Sequence, residues 1–288
     1  MATSLPSTAG SPSRCSDAVS DAFFSANRQN WDERTAIHRQ DASGFYRVQA
    51  FKAGEDTLYP IEAGEIGDVS GRRLAHLQCH FGLDTLSVAR RGAIVTGLDF
   101  SPVAIDAARA LAAEVGIAAT FVCGNVYDAP QLLRQRFDIV YATWGTIGWL
   151  PDVGRWARVV AALLEPGGHL YFADHHPLVT LLEQQDGRLV FRYGWRTPAD
   201  TPLANENPTT YTGDTQRLAS RRTYEWDHPL SSIVGGLLEA GLKLEFLHEH
   251  EVLPWRAFPM LIDAGDRLYR LPDDHPALPL SVSLKATK

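Results

Sequence analysis

The fold is decided by residues 74–102, which read LAHLQCHFGLDTLSVARRGAIVTGLDFSP. Apolar and β-branched runs at 74–77 and 93–98 enclose a segment that has the chemistry of a helix. Asp84 falls in the first turn of that segment and Gly92 follows its last turn, as expected for a helix start and a helix stop. The order of strand, turn, helix and strand predicts a βαβ unit with two parallel strands.

The chain after this unit repeats the same alternation. Ser101 and Pro102 predict the start of a helix, and Gly116 predicts its end. The turn Pro166-Gly167-Gly168 separates a later helix from a strand. Further helices are predicted near 153–164 and 231–240, and further strands at 119–123, 137–143, 170–173, 242–247 and 280–284. No helix of convincing length joins the last two strands, so we expect them to pair antiparallel.

Three segments of different composition precede or interrupt the predicted core, which spans residues 66–288. Residues 1–19 are rich in Ser, Thr, Pro, Ala and Gly and predict a disordered leader. Residues 20–65 have a mixed pattern that predicts a helical cap over the mouth of a binding site. Residues 177–228 predict a lid insertion rather than part of the sheet. Aromatic residues of this insertion that could line an acceptor pocket are Tyr193, Trp195, Tyr211, Tyr224 and Trp226.

The bulk composition limits the function classes. Lys and Arg total 27 and Asp and Glu total 34, which gives a formal net charge of −7 and disfavours nucleic acid as a partner. Cys15, Cys79 and Cys123 are widely separated and include no CxxC pair, which favours a reducing compartment over a disulfide framework or a structural zinc site. No run of about 18 apolar residues occurs, so we expect no membrane partner and, by default, a cytoplasmic location. A small molecule is the expected substrate, and a homodimer is left open.

The turn after the first strand argues against a dinucleotide. Ligands of open α/β sheets bind outside the carboxyl ends of the strands, so this turn should border the binding crevice. It reads Gln78-Cys79-His80-Phe81-Gly82, and only Gly82 remains where a dinucleotide fingerprint has three glycines. The side chains of Gln78 and His80 would crowd a pyrophosphate. A ligand that carries an adenosine but no phosphates tolerates such a turn.

Two further strand ends carry side chains that suit an adenosine. Asp99 ends the second strand, where a carboxylate can accept hydrogen bonds from both hydroxyls of a ribose. Asn125 follows the third strand and could bind an adenine edge, while Val126 packs on the ring. Taken singly, Asp99 could instead cap a loop, and Asn125 could only shape a turn.

Four blocks of this sequence resemble class I S-adenosylmethionine-dependent methyltransferases. They are Leu77 to Gly82, Thr96 to Pro102, Phe137 to Val140 and Leu164 to Gly168, and the match spans roughly residues 65 to 177. One departure is that His76, Gln78 and His80 stand where the family usually has an acidic residue and paired glycines. Bacterial members with the variant Leu-Gln-Cys-His-Phe-Gly are the most similar to this chain.

The resemblance implies a Rossmann-like α/β fold with a seven-stranded, mostly parallel sheet and an antiparallel last strand. It also implies S-adenosylmethionine as cofactor and S-adenosylhomocysteine as its product. The methionine end would lie near Gly82, the ribose at Asp99 and the adenine near Asn125. Residues expected to contact the cofactor are Tyr46, Gln78, Cys79, His80, Gly82, Asp99, Phe100, Asn125, Val126, Thr143 and Trp144.

The acceptor side is marked by two histidines at the end of the fifth strand. A protonated oxygen or nitrogen acceptor needs a base, and histidine has a suitable pKa. His176 is preferred to His175 because His-Pro recurs here in the resembling proteins, although strand alternation does not fix which one points inward. Both could instead be loop residues, and Trp144 could wall the methyl-transfer channel or belong to the core.

Two other functions compete with methyl transfer. A nicotinamide-dependent oxidoreductase is disfavoured by Gln78 and His80. A protein that binds S-adenosylmethionine without turnover would keep the same cofactor residues. A metal centre is not predicted, because His248 and His250 alternate on a strand without a third ligand.

Overall fold

The computed structural model describes residues 14–288, with side chains described from residue 21 onward. Residues 1–13 of the predicted leader lie outside the described residues, and helix α1 begins at Arg14, inside the range assigned to that leader. The helices are α1 Arg14–Gln40, α2 Val48–Lys52, α3 Pro60–Glu65, α4 Leu83–Arg90, α5 Pro102–Val115, α6 Ala129–Leu133, α7 Val153–Leu163 and α8 Leu230–Glu239. The strands are β1 Arg73–Leu77, β2 Ile94–Asp99, β3 Thr120–Cys123, β4 Phe137–Thr143, β5 Leu164–His175, β6 Leu182–Gln185, β7 Arg188–Phe191, β8 Leu203–Glu206, β9 Arg222–Glu225, β10 Lys243–His250, β11 Val252–Leu253, β12 Ile262–Gly265, β13 Leu268–Arg270 and β14 Ser281–Thr287.

Seven strands form the central sheet, in the order β10-β14-β5-β4-β1-β2-β3. Neighbours among β1 to β5 pair parallel, whereas β14 runs antiparallel to both β5 and β10. The predicted Rossmann-like methyltransferase sheet is therefore confirmed, including its antiparallel last strand. The strand order reverses between β1 and β4, and this switch point places the ends of the central strands around one crevice.

Helices cover both faces of the sheet because the central strands are apolar on both sides. In β4, Val140 faces a cluster with Trp156 of α7, and its neighbour Tyr141 faces a cluster with Val88 of α4. All four side chains are essentially inaccessible to solvent. Burial of a large apolar side chain contributes on the order of 2 kcal/mol, so these two layers fix the strand ends rigidly.

Local signals set the helix ends as the sequence predicts. Ser101 Oγ accepts a hydrogen bond from the backbone N–H of Ala104 at 3.0 Å, Pro102 occupies the first turn, and Gly116 ends α5 with a left-handed φ of 68°. The Pro166-Gly167-Gly168 segment differs, because β5 already begins at Leu164. A side chain at Gly168 would place Cβ 2.9 Å from the carbonyl oxygen of Asp138, so this glycine permits close pairing with β4.

Residues 177–228 add two hairpins, β6 with β7 and β8 with β9, and neither joins the central sheet. A further small sheet, β11-β13-β12, lies between β10 and β14, where the sequence indicates only a loop. Its longest strand has four residues, all exposed, which explains why no alternation of apolar and polar residues revealed it.

Helix α1 is fastened to the second hairpin through side chains. The amide of Asn27 donates to the carbonyl oxygen of Tyr224 at 2.7 Å and accepts from the N–H of the same residue at 2.8 Å. The carboxylate of Glu33 accepts from the N–H of Ala219 at 2.7 Å and of Ser220 at 3.0 Å. These side chains satisfy backbone groups that strand pairing leaves without partners. Helix α1 and the second hairpin therefore form one continuous cover.

Across residues 14–288, none of the helices combines the length and the apolar character needed to cross a bilayer.

Candidate functional site

A cavity of about 520 Å³ lies at the carboxyl ends of the central strands. Its walls come from the turns after β1 to β5, and its cover comes from α1, the insertion and the segment between β10 and β14. A volume of this size is typical of small-molecule sites.

Most of the predicted site residues meet in this cavity, and two do not. Those that line it are Tyr46, Gln78, Cys79, His80, Asp99, Phe100, Asn125, Val126, Thr143, Trp144 and His175. Gly82 lies beneath the loop as the residue that precedes α4, and His176 lies outside the cavity. Of the five insertion aromatics, Tyr211 lines the cavity and Tyr193 and Trp195 are exposed, whereas Tyr224 and the buried Trp226 pack beside Phe23.

The loop after β1 holds non-glycine residues in a left-handed conformation. Gln78 has φ 57° and His80 has φ 50°, which costs an L-residue roughly 1 kcal/mol or more. Each side chain is anchored: Gln78 Nε2 donates to the carbonyl oxygen of Thr146 at 2.7 Å, and His80 Nε2 lies 2.9 Å from Nδ1 of His38. These side-chain hydrogen bonds thus stabilise a left-handed backbone conformation that glycine would adopt without strain.

The two hydrogen-bonded imidazoles are neutral. Burial lowers the pKa of His38 to about 2 and that of His80 to about 3, and the positive charge of Arg34 adds to both shifts. The loop therefore presents the uncharged ring of His80 to the cavity, with the ring of His38 hydrogen-bonded to it from α1.

Asp99 closes β2 with both carboxylate oxygens already oriented. Oδ2 accepts from the N–H of His80 and Oδ1 from the N–H of Ser101, each at 2.9 Å. Burial raises the pKa of Asp99 to about 6, because its effect exceeds that of the two amide bonds. A carboxylate oxygen can accept more than one hydrogen bond, so Asp99 keeps acceptor capacity toward the cavity.

Asn125 shapes a turn and also lies at the cavity wall. Its Oδ1 accepts from the N–H of Tyr127 at 3.0 Å and so shapes the turn after β3, while the residue also lines the cavity with Val126. Its amide N–H groups are not used by this turn bond.

A histidine and an aspartate form a pair on the opposite wall. Nδ1 of His175 lies 2.9 Å from Oδ1 of Asp174, which is fully buried and also accepts from the N–H groups of Gly145 and Thr146. Burial lowers the pKa of His175, but the charge and hydrogen bond of Asp174 outweigh it and the net shift is upward. Burial likewise raises the pKa of Asp174, yet His175 and the amides bring it below its ordinary value.

Of the two candidate bases, the structure places the preferred one, His176, outside the cavity and His175 at its wall. His176 points away from the cavity, where Nε2 lies 3.0 Å from Oε1 of Glu249 and Nδ1 accepts from the N–H of Leu178. It therefore stabilises the turn after β5. Only His175 reaches the cavity wall.

One face of α1 contributes side chains that the sequence analysis did not single out as a group. Trp31, Arg34 and His38 follow the i, i+3, i+7 spacing of a single helical face. Trp31 and Arg34 line the cavity, and His38 supports it through His80. Their helical spacing could have indicated a shared face, but the charge of Arg34 suggested that this face is exposed to solvent.

Two acidic residues lie close together at this end of the sheet: Asp84 lines the cavity, and Glu62 is buried behind the lining. Burial raises the pKa of Glu62 to about 8 and that of Asp84 to about 6, with the charge of Asp84 adding to the shift of Glu62. Glu62 Oε1 accepts from the N–H of Tyr59 at 2.6 Å, which caps α3. In the part of the chain that the structure describes, no group of three or more His, Cys, Asp or Glu residues is arranged to hold a metal ion.

Comparisons with known proteins agree with this architecture. A family model described as a methyltransferase domain matches residues 75–172. The ubiquinone biosynthesis O-methyltransferase of Photorhabdus laumondii subsp. laumondii is 34% identical over 107 residues, which cover 37% of this chain and 44% of the relative. The enzyme of the same name from Proteus mirabilis is 33% identical over 103 residues, covering 36% of this chain and 42% of that protein. The chain thus spans less than half of these curated relatives.

A solved structure extends the likeness to most of the chain. The crystal structure of an S-adenosylmethionine-dependent methyltransferase from Mesorhizobium loti has a TM-score of 0.55 at 19% identity, over 82% of this chain and all of that one. The chain therefore has the class I methyltransferase fold. Residues 75–172, which the methyltransferase-domain model matches, form the centre of that fold.

Proposed function

We propose that this protein is an enzyme that transfers the methyl group of S-adenosylmethionine to an oxygen of a small molecule. One observation carries the proposal: a single cavity joins the strand ends suited to an adenosine with the His175–Asp174 pair. The names of the relatives, which are O-methyltransferases, support oxygen over nitrogen as the attacking atom.

The cavity wall fits a polar nucleoside ligand. Buried Gln78 Oε1 and Thr146 Oγ1 have no hydrogen-bond partner within residues 14–288, and both side chains line the cavity. Buried polar groups are normally satisfied, so this capacity suits a ligand with several hydrogen-bonding groups. Asp99 would bind the ribose, and Phe100, Asn125 and Val126 would surround the adenine.

S-adenosylmethionine would supply an electrophilic methyl group whose bond to sulfur breaks as the acceptor oxygen attacks, leaving S-adenosylhomocysteine. His175, with its Nδ1–H held by Asp174, would accept the acceptor proton at Nε2. The remaining task of the chain is to hold the two ligands in line and exclude water, and the cover formed by α1 and the insertion serves that purpose.

Two measurements test the proposal. Calorimetry should detect binding of S-adenosylhomocysteine and none of NAD or NADP. Incubation with deuteromethyl-labelled S-adenosylmethionine and a panel of phenols and catechols should give a labelled ether, and an amine panel serves as the comparison. Binding without product across both panels would favour a non-catalytic protein, and nicotinamide binding without S-adenosylhomocysteine binding would favour an oxidoreductase.

A further inference from the structure

Arg34 is a buried cation that lines the cavity. It lies on α1 and is 5% exposed. It forms no ion pair with any carboxylate in residues 21–288, and its Nε has no hydrogen-bond partner there. The guanidinium carbon lies 5.2 Å from the ring centre of Trp31, 5.7 Å from that of Tyr211 and 5.8 Å from that of Trp149.

Such a placement needs compensation. Removing a charge from water costs several kcal/mol, and each aromatic face returns about 0.5–2 kcal/mol. Glu225 is close enough to influence the pKa of Arg34, but it does not form an ion pair with it. The fork of guanidinium donors matches a carboxylate, which can accept two parallel hydrogen bonds.

We propose that Arg34 binds a carboxylate of the methyl acceptor, so that the substrate class is an acid with an aromatic or other apolar body. This inference rests on the proposed function. None of the three rings around Arg34 belongs to a predicted cofactor contact: Trp31 lies on α1, Trp149 follows β4 and Tyr211 belongs to the insertion. Arg34, Glu225 and the proposed base His175 all line the same cavity.

The competing source of a carboxylate is the methionine end of the cofactor. Arg34 is near enough to His80 of the β1 loop to lower its pKa, so the two sources must be separated by experiment.

The test uses the full chain saturated with S-adenosylhomocysteine, so that the cofactor carboxylate is already bound. Benzoate, 4-hydroxybenzoate and cinnamate are titrated beside their neutral carboxamides, with binding followed by the fluorescence of the tryptophans next to Arg34. The same titrations use Arg34→Gln, the charge-preserving Arg34→Lys and, as a control, Arg28→Gln at an exposed position of the same helix. Melting temperatures show which variants are folded.

We expect at least one carboxylate to bind the wild type about 10-fold or more tightly than its carboxamide. Arg34→Gln should remove that preference, Arg34→Lys should retain part of it, and Arg28→Gln should leave it intact. The proposal is overturned if no acid binds more tightly than its amide. It is also overturned if Arg34→Gln weakens the binding of S-adenosylhomocysteine by 10-fold or more while the preference for acids persists. If Arg34→Gln does not fold, the comparison of acids with carboxamides on the wild type still tests the proposal. Failure of the proposed function would be seen separately, as no binding of S-adenosylhomocysteine.

Discussion

Asp174 Oδ1 lies 2.9 Å from Nδ1 of His175, and the same carboxylate receives backbone N–H bonds from Gly145 and Thr146. One buried side chain therefore ties the end of β5 to the turn after β4 and fixes the orientation of the imidazole. This arrangement makes the protonation of His175 the first property to measure.

The pKa of His175 should lie above 6.5, because the charge of Asp174 outweighs the effect of burial. Asp174→Asn removes that charge and should lower the pKa. NMR titration of the His175 ring carbon-bound protons checks this without knowledge of the acceptor. Equal midpoints in the wild type and the variant would contradict the assignment.

Loss of the proposed base should slow catalysis more than binding. A general base contributes about 10²- to 10⁴-fold, so His175→Gln should lower kcat about 100-fold once an acceptor is identified. The Kd of S-adenosylhomocysteine should change less than about 2-fold. The activity of the wild type should rise with pH through the raised pKa of His175, since only the neutral imidazole can accept a proton. His176→Gln serves as the comparison and should keep most activity.

Asp99→Asn should weaken the binding of S-adenosylhomocysteine. A hydrogen bond to a charged group contributes about 1.5–3 kcal/mol, so a 10- to 100-fold rise in Kd is expected by calorimetry. Asp106→Asn, at an exposed position on α5, is the matched control and should bind like the wild type. An unchanged Kd for Asp99→Asn would remove the ribose assignment.

Gly82→Ala should destabilise the fold through two separate effects. Gly82 has φ +79°, and an added Cβ would lie 2.8 Å from the ring of Phe121 and 2.9 Å from Cβ of Ala108. Gly116 has φ +68° with open space around it, so Gly116→Ala isolates the conformational cost of about 1–2 kcal/mol. Urea denaturation should show a further loss of about 1–3 kcal/mol for Gly82→Ala, which overpacking accounts for. Equal losses would mean that the core accommodates the methyl group.

Glu62 should make the fold less stable as pH rises. Burial raises its folded pKa to about 8 from an ordinary value of 4.5, so the folded state holds a proton that the unfolded state releases. Between these two values the free energy of unfolding therefore falls with increasing pH. Glu62→Gln should flatten this slope. Near pH 9, the free energy of unfolding of the variant should exceed that of the wild type by an amount on the order of 2 kcal/mol. Exposed Glu114→Gln should keep the wild-type slope, and an identical slope in Glu62→Gln would refute the prediction.

The alternation of strands and helices could be predicted because its signals are local and repeated, and the meeting of strand ends follows from the geometry of parallel sheets. The Ser101-Pro102 start and the Gly116 stop, for example, each depend on a few neighbouring residues. The direction of His175 and His176 could not, because the chain turns after β5 and alternation ends there. The backbone N–H of His176 donates to the carbonyl oxygen of Leu280, and its ring Nδ1 accepts from the N–H of Leu178, so contacts formed only in the folded chain decide where the ring lies.

Arg34 escaped prediction for a related reason. A lone arginine on a polar helix indicates a solvated face, and its burial depends on Trp149 and Tyr211, which come from remote segments. The small sheet between β10 and β14 lacked a pattern because its strands are short and largely exposed.

The fastening of α1 to the second hairpin by Asn27 and Glu33 has a kinetic meaning. Because these hydrogen bonds join the two segments, we expect α1 and the second hairpin to move together when the cavity opens. Under the proposed function, release of both products would then depend on this one motion, and a slow opening would limit turnover.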